Sequence, residues 1–188
     1  MLSAVGNSFF LVAASEWGDK TQLLAAALSV RYGRPGRMLA AATAATFTNH
    51  LLSAQIGQWV GAYLNGHDLA LIVTCLFGAI AIATLVSAAK PGHHSIPETR
   101  EALGPGKIFL LFFLAEMGDK TQLTTATLAA QYHSVFLVAT SSALGTLVPD
   151  GIAIYLGSKV HRWIHWKRLK WISAATFAGF AIHSAMSL

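Results

Sequence analysis

Glu16-Trp17-Gly18-Asp19-Lys20-Thr21-Gln22-Leu23 returns 100 residues later as Glu116-Met117-Gly118-Asp119-Lys120-Thr121-Gln122-Leu123. Both copies lie inside apolar stretches long enough to cross a bilayer. A charged side chain placed there costs about 2.5–3.5 kcal/mol on insertion scales. A chain that carries two carboxylates and a lysine in this setting twice, at matching positions, is built around them. Intramembrane ionisable residues mark ion pathways and proton relays, so the repeated octapeptide directs the reading of both fold and function.

The surrounding composition agrees. Of 188 residues, 54% are hydrophobic and 11% are charged, and the mean hydropathy is +0.54. A soluble domain carries about 25% charged residues. Windows of about 20 apolar residues give six spans: Leu2–Ser29, Met38–Ala62, Leu69–Ala89, Lys107–Gln131, Val135–Gly157 and Leu169–Leu188. The expected fold is an all-α integral membrane protein, one transmembrane domain over residues 1–188. Residues 1–15 end in Val12-Ala13-Ala14-Ser15 in the manner of a signal peptide but lack a basic n-region, so they read as the start of the first span. Cys75 falls within span three and has no second cysteine to pair with.

The net charge of +5 does not point to nucleic acid, because its distribution follows the spans. Arg31, Arg34 and Arg37 separate spans one and two. Lys90, Arg100 and Lys107 separate spans three and four, and Lys159, Arg162, Lys167, Arg168 and Lys170 separate five and six. Eleven of the thirteen basic residues thus lie on alternate connections, and the other two are Lys20 and Lys120. The connections around Asn65–Asp68 and Tyr132–Ser134 hold no Lys or Arg. The positive-inside rule makes the basic loops cytoplasmic and puts both termini outside. Trp163 and Trp166, flanked by Arg and Lys, read as interface anchors.

The 100-residue offset extends past the motif. Nine of thirteen positions match between Glu16–Leu28 and Glu116–Leu128, and Tyr32, Thr46, Gly57 and Phe77 match Tyr132, Thr146, Gly157 and Phe177. Repeat one covers about residues 1–89, a cytoplasmic loop about 90–106, and repeat two about 107–188. Each repeat has three spans, an odd number, so the two repeats are expected to be inverted. In secondary transporters of this plan the site lies near the midplane where the repeats meet.

On an unbroken helix, positions i, i+3 and i+4 share a face. Glu16, Asp19 and Lys20 then project together, as do Glu116, Asp119 and Lys120, with Glu and Lys spaced for an ion pair. Gly18 and Gly118 admit two readings: close packing of neighbouring backbone, or an unwound helix that exposes carbonyls to an ion. Thr21, Thr121, Gln22 and Gln122 add neutral oxygens. Four carboxylates and two ammoniums sum to minus two, which one divalent cation or two protons neutralise. The donors are hard oxygens suited to Mg²⁺, Ca²⁺ or Mn²⁺. Met117 faces a tryptophan at the matching position, so a thioether ligand is not shared.

Asp150, inside span five after Pro149, reads as a proton carrier, a fifth oxygen ligand or an interhelical hydrogen-bonder. It matches His50 of repeat one, and Asn49 matches Pro149, whose ring is expected to break the helix and free carbonyls near the site. His50 reads as an interhelical hydrogen-bonder, Gly57-x-x-x-Gly61 as a packing motif, and His93-His94 as part of a solvated loop. No catalytic triad or cofactor motif is evident, so neither an enzyme nor a prosthetic group is expected.

The double Glu-x-Gly-Asp-Lys-Thr motif, on the first and fourth of six spans, resembles the signature of the cation/proton exchangers of the lysine-exporter superfamily, which includes bacterial manganese exporters and Golgi and chloroplast calcium/manganese transporters. The resemblance covers the whole chain. It implies that Glu16, Asp19, Glu116 and Asp119 bind the transported ion and that the activity is Mn²⁺ efflux or Ca²⁺/Mn²⁺ exchange for protons. On the residue reading Lys20, Lys120, Asn49 and Asp150 are the supporting residues, and the short central loop suits a bacterial plasma membrane. A divalent-cation channel and an exporter of a cationic amino acid are the alternative readings.

Overall fold

The helices break at both motifs. The computed structural model describes residues 1–17, 19–32, 34–89, 104–156 and 166–186. Among them, eight helices run in order: α1 Leu2–Glu16, α2 Lys20–Tyr32, α3 Pro35–Gly61, α4 Gly66–Ala89, α5 Pro105–Glu116, α6 Lys120–Tyr132, α7 Val135–Leu156 and α8 Trp166–Ala185. Spans one and four are therefore each two shorter helices, and the other four expected spans are single helices with ends shifted by a few residues. His93-His94 and Trp163 lie outside the described residues.

The flanks of the two breaks match, and Gly18 itself lies outside the described residues. Trp17 and Met117 leave the helix with extended ψ values of 118° and 126°. The amide of Asp19 then donates to the Glu16 carbonyl, and that of Asp119 to the Glu116 carbonyl, both at 3.1 Å. Gly118 has φ +76°, a region where a Cβ costs about 1–2 kcal/mol. A Cβ at Gly118 would meet nothing within 4 Å, so the unwound reading holds for this glycine and the close-packing reading does not. The shared helical face expected for Glu16, Asp19 and Lys20 is also lost, because the break falls between them.

The break changes what crosses the molecule. With 15 and 13 residues, α1 and α2 reach only about 22 Å and 20 Å, short of the roughly 30 Å of a hydrocarbon core. Among the described residues, two helices are long and apolar enough to cross a membrane on their own: α4 over Gly66–Val86 and α7 over Val135–Leu156. Pro149 sits inside α7 without ending it, contrary to the expected break.

Most of the packing joins the first four helices to the last four. α1 packs on α7 and α5 on α3, α3 packs on α6 and α7 on α2, and α1 meets α6 as α5 meets α2. Exchanging the halves maps these pairings onto one another. Two apolar clusters result. One holds Leu11, Ala54, Val73, Phe77, Leu128, Val138 and Phe177 among its members, and the other Ala25, Leu28, Met38, Ile108, Phe112 and Ile154. Along α3 and α7, the buried polar residues Thr46, Asn49, His50, Ser142, Thr146 and Asp150 lie between the two clusters. The helix-packing motif in α3 is real: a Cβ on Gly57 would lie 1.9 Å from the Ala126 carbonyl oxygen and one on Gly61 2.8 Å from Ala130. α3 and α6 therefore touch backbone to backbone.

Candidate cation site

Both helix breaks open into the polar layer. α1 and α5 end there at Glu16 and Glu116, and α2 and α6 begin there at Lys20 and Lys120. Helix C-termini present carbonyls and helix N-termini present amides, so the layer receives fixed partial charges of both signs. Asp119 caps α6, its carboxylate accepting from the Lys120 amide at 2.8 Å. Across the break, the Gln122 side-chain oxygen accepts from the Gly118 amide at 2.9 Å. This is how Gln122 serves the site: it holds the turn.

Carboxylates from both halves meet there. Single oxygens of Glu16, Asp19 and Asp119 all lie within 4.8 Å of one another. Oxygens that share one hard divalent ion at about 2.0–2.6 Å lie no more than roughly 5.2 Å apart, so this trio is spaced to hold such an ion. Lys120 Nζ pairs with Asp19 Oδ1 at 3.3 Å, which joins α6 to the first break. The expected pair was Glu116 with Lys120 inside one motif. The break removes that helical geometry, and the partner of Lys120 comes from the other half.

Glu16 and Glu116 are both buried, at 0% and 2% exposure, yet they are held differently. Glu116 accepts from Thr46 at 2.6 Å through Oε1 and from Asn49 at 3.2 Å through Oε2, both on α3 of the other half. Glu16 Oε2 accepts from its own motif's Thr21 at 2.8 Å. Glu16 Oε1 is buried with no hydrogen-bond partner among the described residues. Asp150 is buried too, and neither of its oxygens has a hydrogen-bond partner there. It lies within electrostatic reach of Glu116, Asp19 and Glu16.

The supporting residues divide accordingly. Gln22 donates to the Pro149 carbonyl at 3.2 Å, tying α2 to α7. Thr121 is buried. His50 is a satisfied bridge as expected: its ring nitrogens lie 2.8 Å from Thr125 Oγ1 and 3.1 Å from Thr146 Oγ1. Met117 is exposed. Thr46 was missed as a site residue, although its recurrence as Thr146 within an apolar span was the available signal.

Carboxylates gathered at two helix breaks, with Lys120 among them, are an arrangement of the kind found in membrane ion carriers. The chain is a member of the GDT1 family of divalent cation/proton antiporters, whose profile matches residues 4–92 and 106–187. A Vibrio cholerae protein named "Putative manganese exporter" is 37% identical, over 84% of this chain and 78% of its own length. GDT1-like protein 3 of Arabidopsis thaliana is 25% identical over 98% of this chain and 71% of its own. A GDT1-like protein of Synechocystis is 28% identical over 98% and 97%. No solved structure matches this chain.

Proposed function

We propose that this chain exports a divalent cation, with Mn²⁺ as the leading cargo and Ca²⁺ as the second, in exchange for protons by alternating access. The single observation that carries this reading is the trio of Glu16, Asp19 and Asp119 oxygens, drawn from both halves and spaced for one hard cation. Glu116, from the same half as Asp119, is held by Thr46 and Asn49 of the other half, and Asp150 adds a fifth carboxyl group. Buried carboxylates need a compensating charge. A metal ion or protons can supply it at the same atoms, and that competition is the coupling. The manganese assignment draws on the name of the Vibrio relative and on the hard-oxygen donor set.

The packing supports two inverted three-span repeats. Leu28, Met38, Ile108 and Ile154 share one cluster, so the helix ends leading into the basic loops converge on one face. The start of α1 belongs to the other face, where Asn7 bonds the Tyr132 hydroxyl at the end of α6. α5 begins beside Met38, and α1 and α5 thus run in opposite senses. The positive-inside rule makes the basic face cytoplasmic, in a bacterial plasma membrane, with both termini outside. Exposed Phe10, Ile56, Trp59, Ile82, Leu114 and Phe136 form an apolar exterior of the kind that lipid covers.

Purified protein in liposomes with an imposed pH gradient tests the reading. Mn²⁺ flux is expected in one direction with protons in the other, each following its own indicator dye. Metal flux that carries no proton counterflow would leave the channel in place of the exchanger, and a failure to move Mn²⁺ or Ca²⁺ would remove both.

A further inference from the structure

The two apolar clusters are equivalent by sequence but not equally covered. Exchange of the halves relates Leu28 to Leu128, Met38 to Val138 and Ile154 to Ala54, each a member of one cluster or the other. Among the described residues, α4 and α8 join the cluster remote from the basic loops, through Val73, Phe77, Ile80, Ala81 and Phe177, and contribute none to the other. There α8 packs on α1 and α4 on α6. The equivalent pairings on the basic face are α4 with α5 and α8 with α2, and these are marginal at most among the described residues. The difference reaches single residues: Leu11 on α1 is fully buried, while its counterpart Leu111 on α5 is only half-buried.

The site shows the same bias. A cleft of about 430 Å³ has Asp19, Asp119 and Lys120 in its wall, with Leu76, Ile80, Ala83 and Thr84 of α4. Those residues run from the middle of α4 towards Ala89, the end that leads into the basic loop 90–106. α4 and α8 are also fastened to each other. Phe77 stacks on Phe177 at 5.9 Å, Phe180 packs edge-on against Phe77, and Ser184 donates to the Ala70 carbonyl at 3.1 Å. Phe77 and Phe177 are themselves equivalent positions, so the α4–α8 pair presents like surfaces to either cluster.

We propose that α4 and α8 move as one body between the two equivalent clusters, and that the structure is the state in which the site opens to the basic, cytoplasmic face. This deepens the carrier reading above and rests on it. When the pair leaves α1 and α6, α4 packs on α5 and α8 on α2. Phe77 then meets Leu111 as Phe177 now shares a cluster with Leu11. The cleft closes beside Ala83, and its equivalent opens on the other face.

Cysteine pairs in a Cys75→Ala background test this in membranes. Leu11→Cys with Phe177→Cys is expected to crosslink and hold the present state, and Leu111→Cys with Phe77→Cys to crosslink in the other. Either disulfide is expected to slow Mn²⁺ flux at least tenfold, with recovery on reduction. Full flux with the first disulfide formed overturns the proposal, as does failure of the second pair to crosslink while the first does so completely. Because core cysteines can impair folding, a single Ala83→Cys gives a second readout. An impermeant maleimide is expected to label it from the cytoplasmic face, and faster labelling from the outer face contradicts the assigned state. If the Cys75→Ala parent moves no metal, the carrier reading fails, and formation of both crosslinks still reports the two packings separately.

Discussion

The two motif copies share every charged residue, yet the structure gives their glutamates different surroundings. Glu116 is gripped by Thr46 and Asn49 of the opposite half. Glu16 bonds Thr21 from its own motif, and its Oε1 has no hydrogen-bond partner among the described residues. The cause lies one helix away. α3 offers Glu116 a hydroxyl and an amide. α7 has Pro149 where Asn49 stands, and its Thr146 lies against His50. It also places Asp150 near Glu16. The same glutamate is thus tethered across to the other half in one copy and bonded within its own motif in the other, and the neighbouring helix decides which.

The comparison can be broken most severely at the carboxylates. Glu16→Gln, Asp19→Asn and Asp119→Asn are each expected to lose Mn²⁺ transport by more than the roughly 10–100-fold typical of outer-shell changes at a metal site. Flux at matched membrane expression is the measure, and near-normal flux in two of them refutes a shared site. Next come the donors to Glu116. A hydrogen bond to a charged group contributes about 1.5–3 kcal/mol, so Asn49→Ala or Thr46→Ala should weaken transport by roughly tenfold or more. Pro149→Ala should cost much less, because position 149 gives Glu16 no side-chain donor.

Asp150→Asn sharpens the contrast with an opposed pair of effects. Metal affinity should fall about tenfold, equivalent to 1.4 kcal/mol, while thermal stability holds or rises, because Asp150 is buried and its carboxyl makes no hydrogen bond among the described residues that the amide would lose. A loss of stability together with unchanged affinity would make Asp150 a structural residue. The smallest effect is expected at Gly118→Ala. Backbone strain of about 1–2 kcal/mol should lower the melting temperature by a few degrees, with no steric clash to add to it. An unchanged melting temperature would show that the turn relaxes without a left-handed residue.

The helical class, the repeat and the motif residues were legible in the sequence because composition and self-similarity are properties of the chain itself. The span limits fell within a few residues of the helix ends at α3, α4 and α7 for the same reason. The helix breaks were legible only as one of two readings. A glycine at position 118 permits both tight packing and positive φ, and tertiary surroundings choose between them. The partner of Lys120 was misread because spacing rules assume a continuous helix, which the break after Met117 removes. Thr46 was not singled out, since its contact with Glu116 spans 70 residues and no local pattern encodes it. The unequal covering of the two clusters by α4 and α8 is equally invisible, because it belongs to the conformation and the repeats are alike in sequence.

The central claim is that the cation site needs both halves. Mn²⁺ binding to the purified protein, followed by the electron paramagnetic resonance of the free ion, tests it directly in Asp19→Asn and Asp119→Asn. Each substitution alters one half, and each is expected to weaken binding at least tenfold, the equivalent of about 1.4 kcal/mol. Wild-type binding by either variant would mean that one half holds the ion by itself, and would contradict the account.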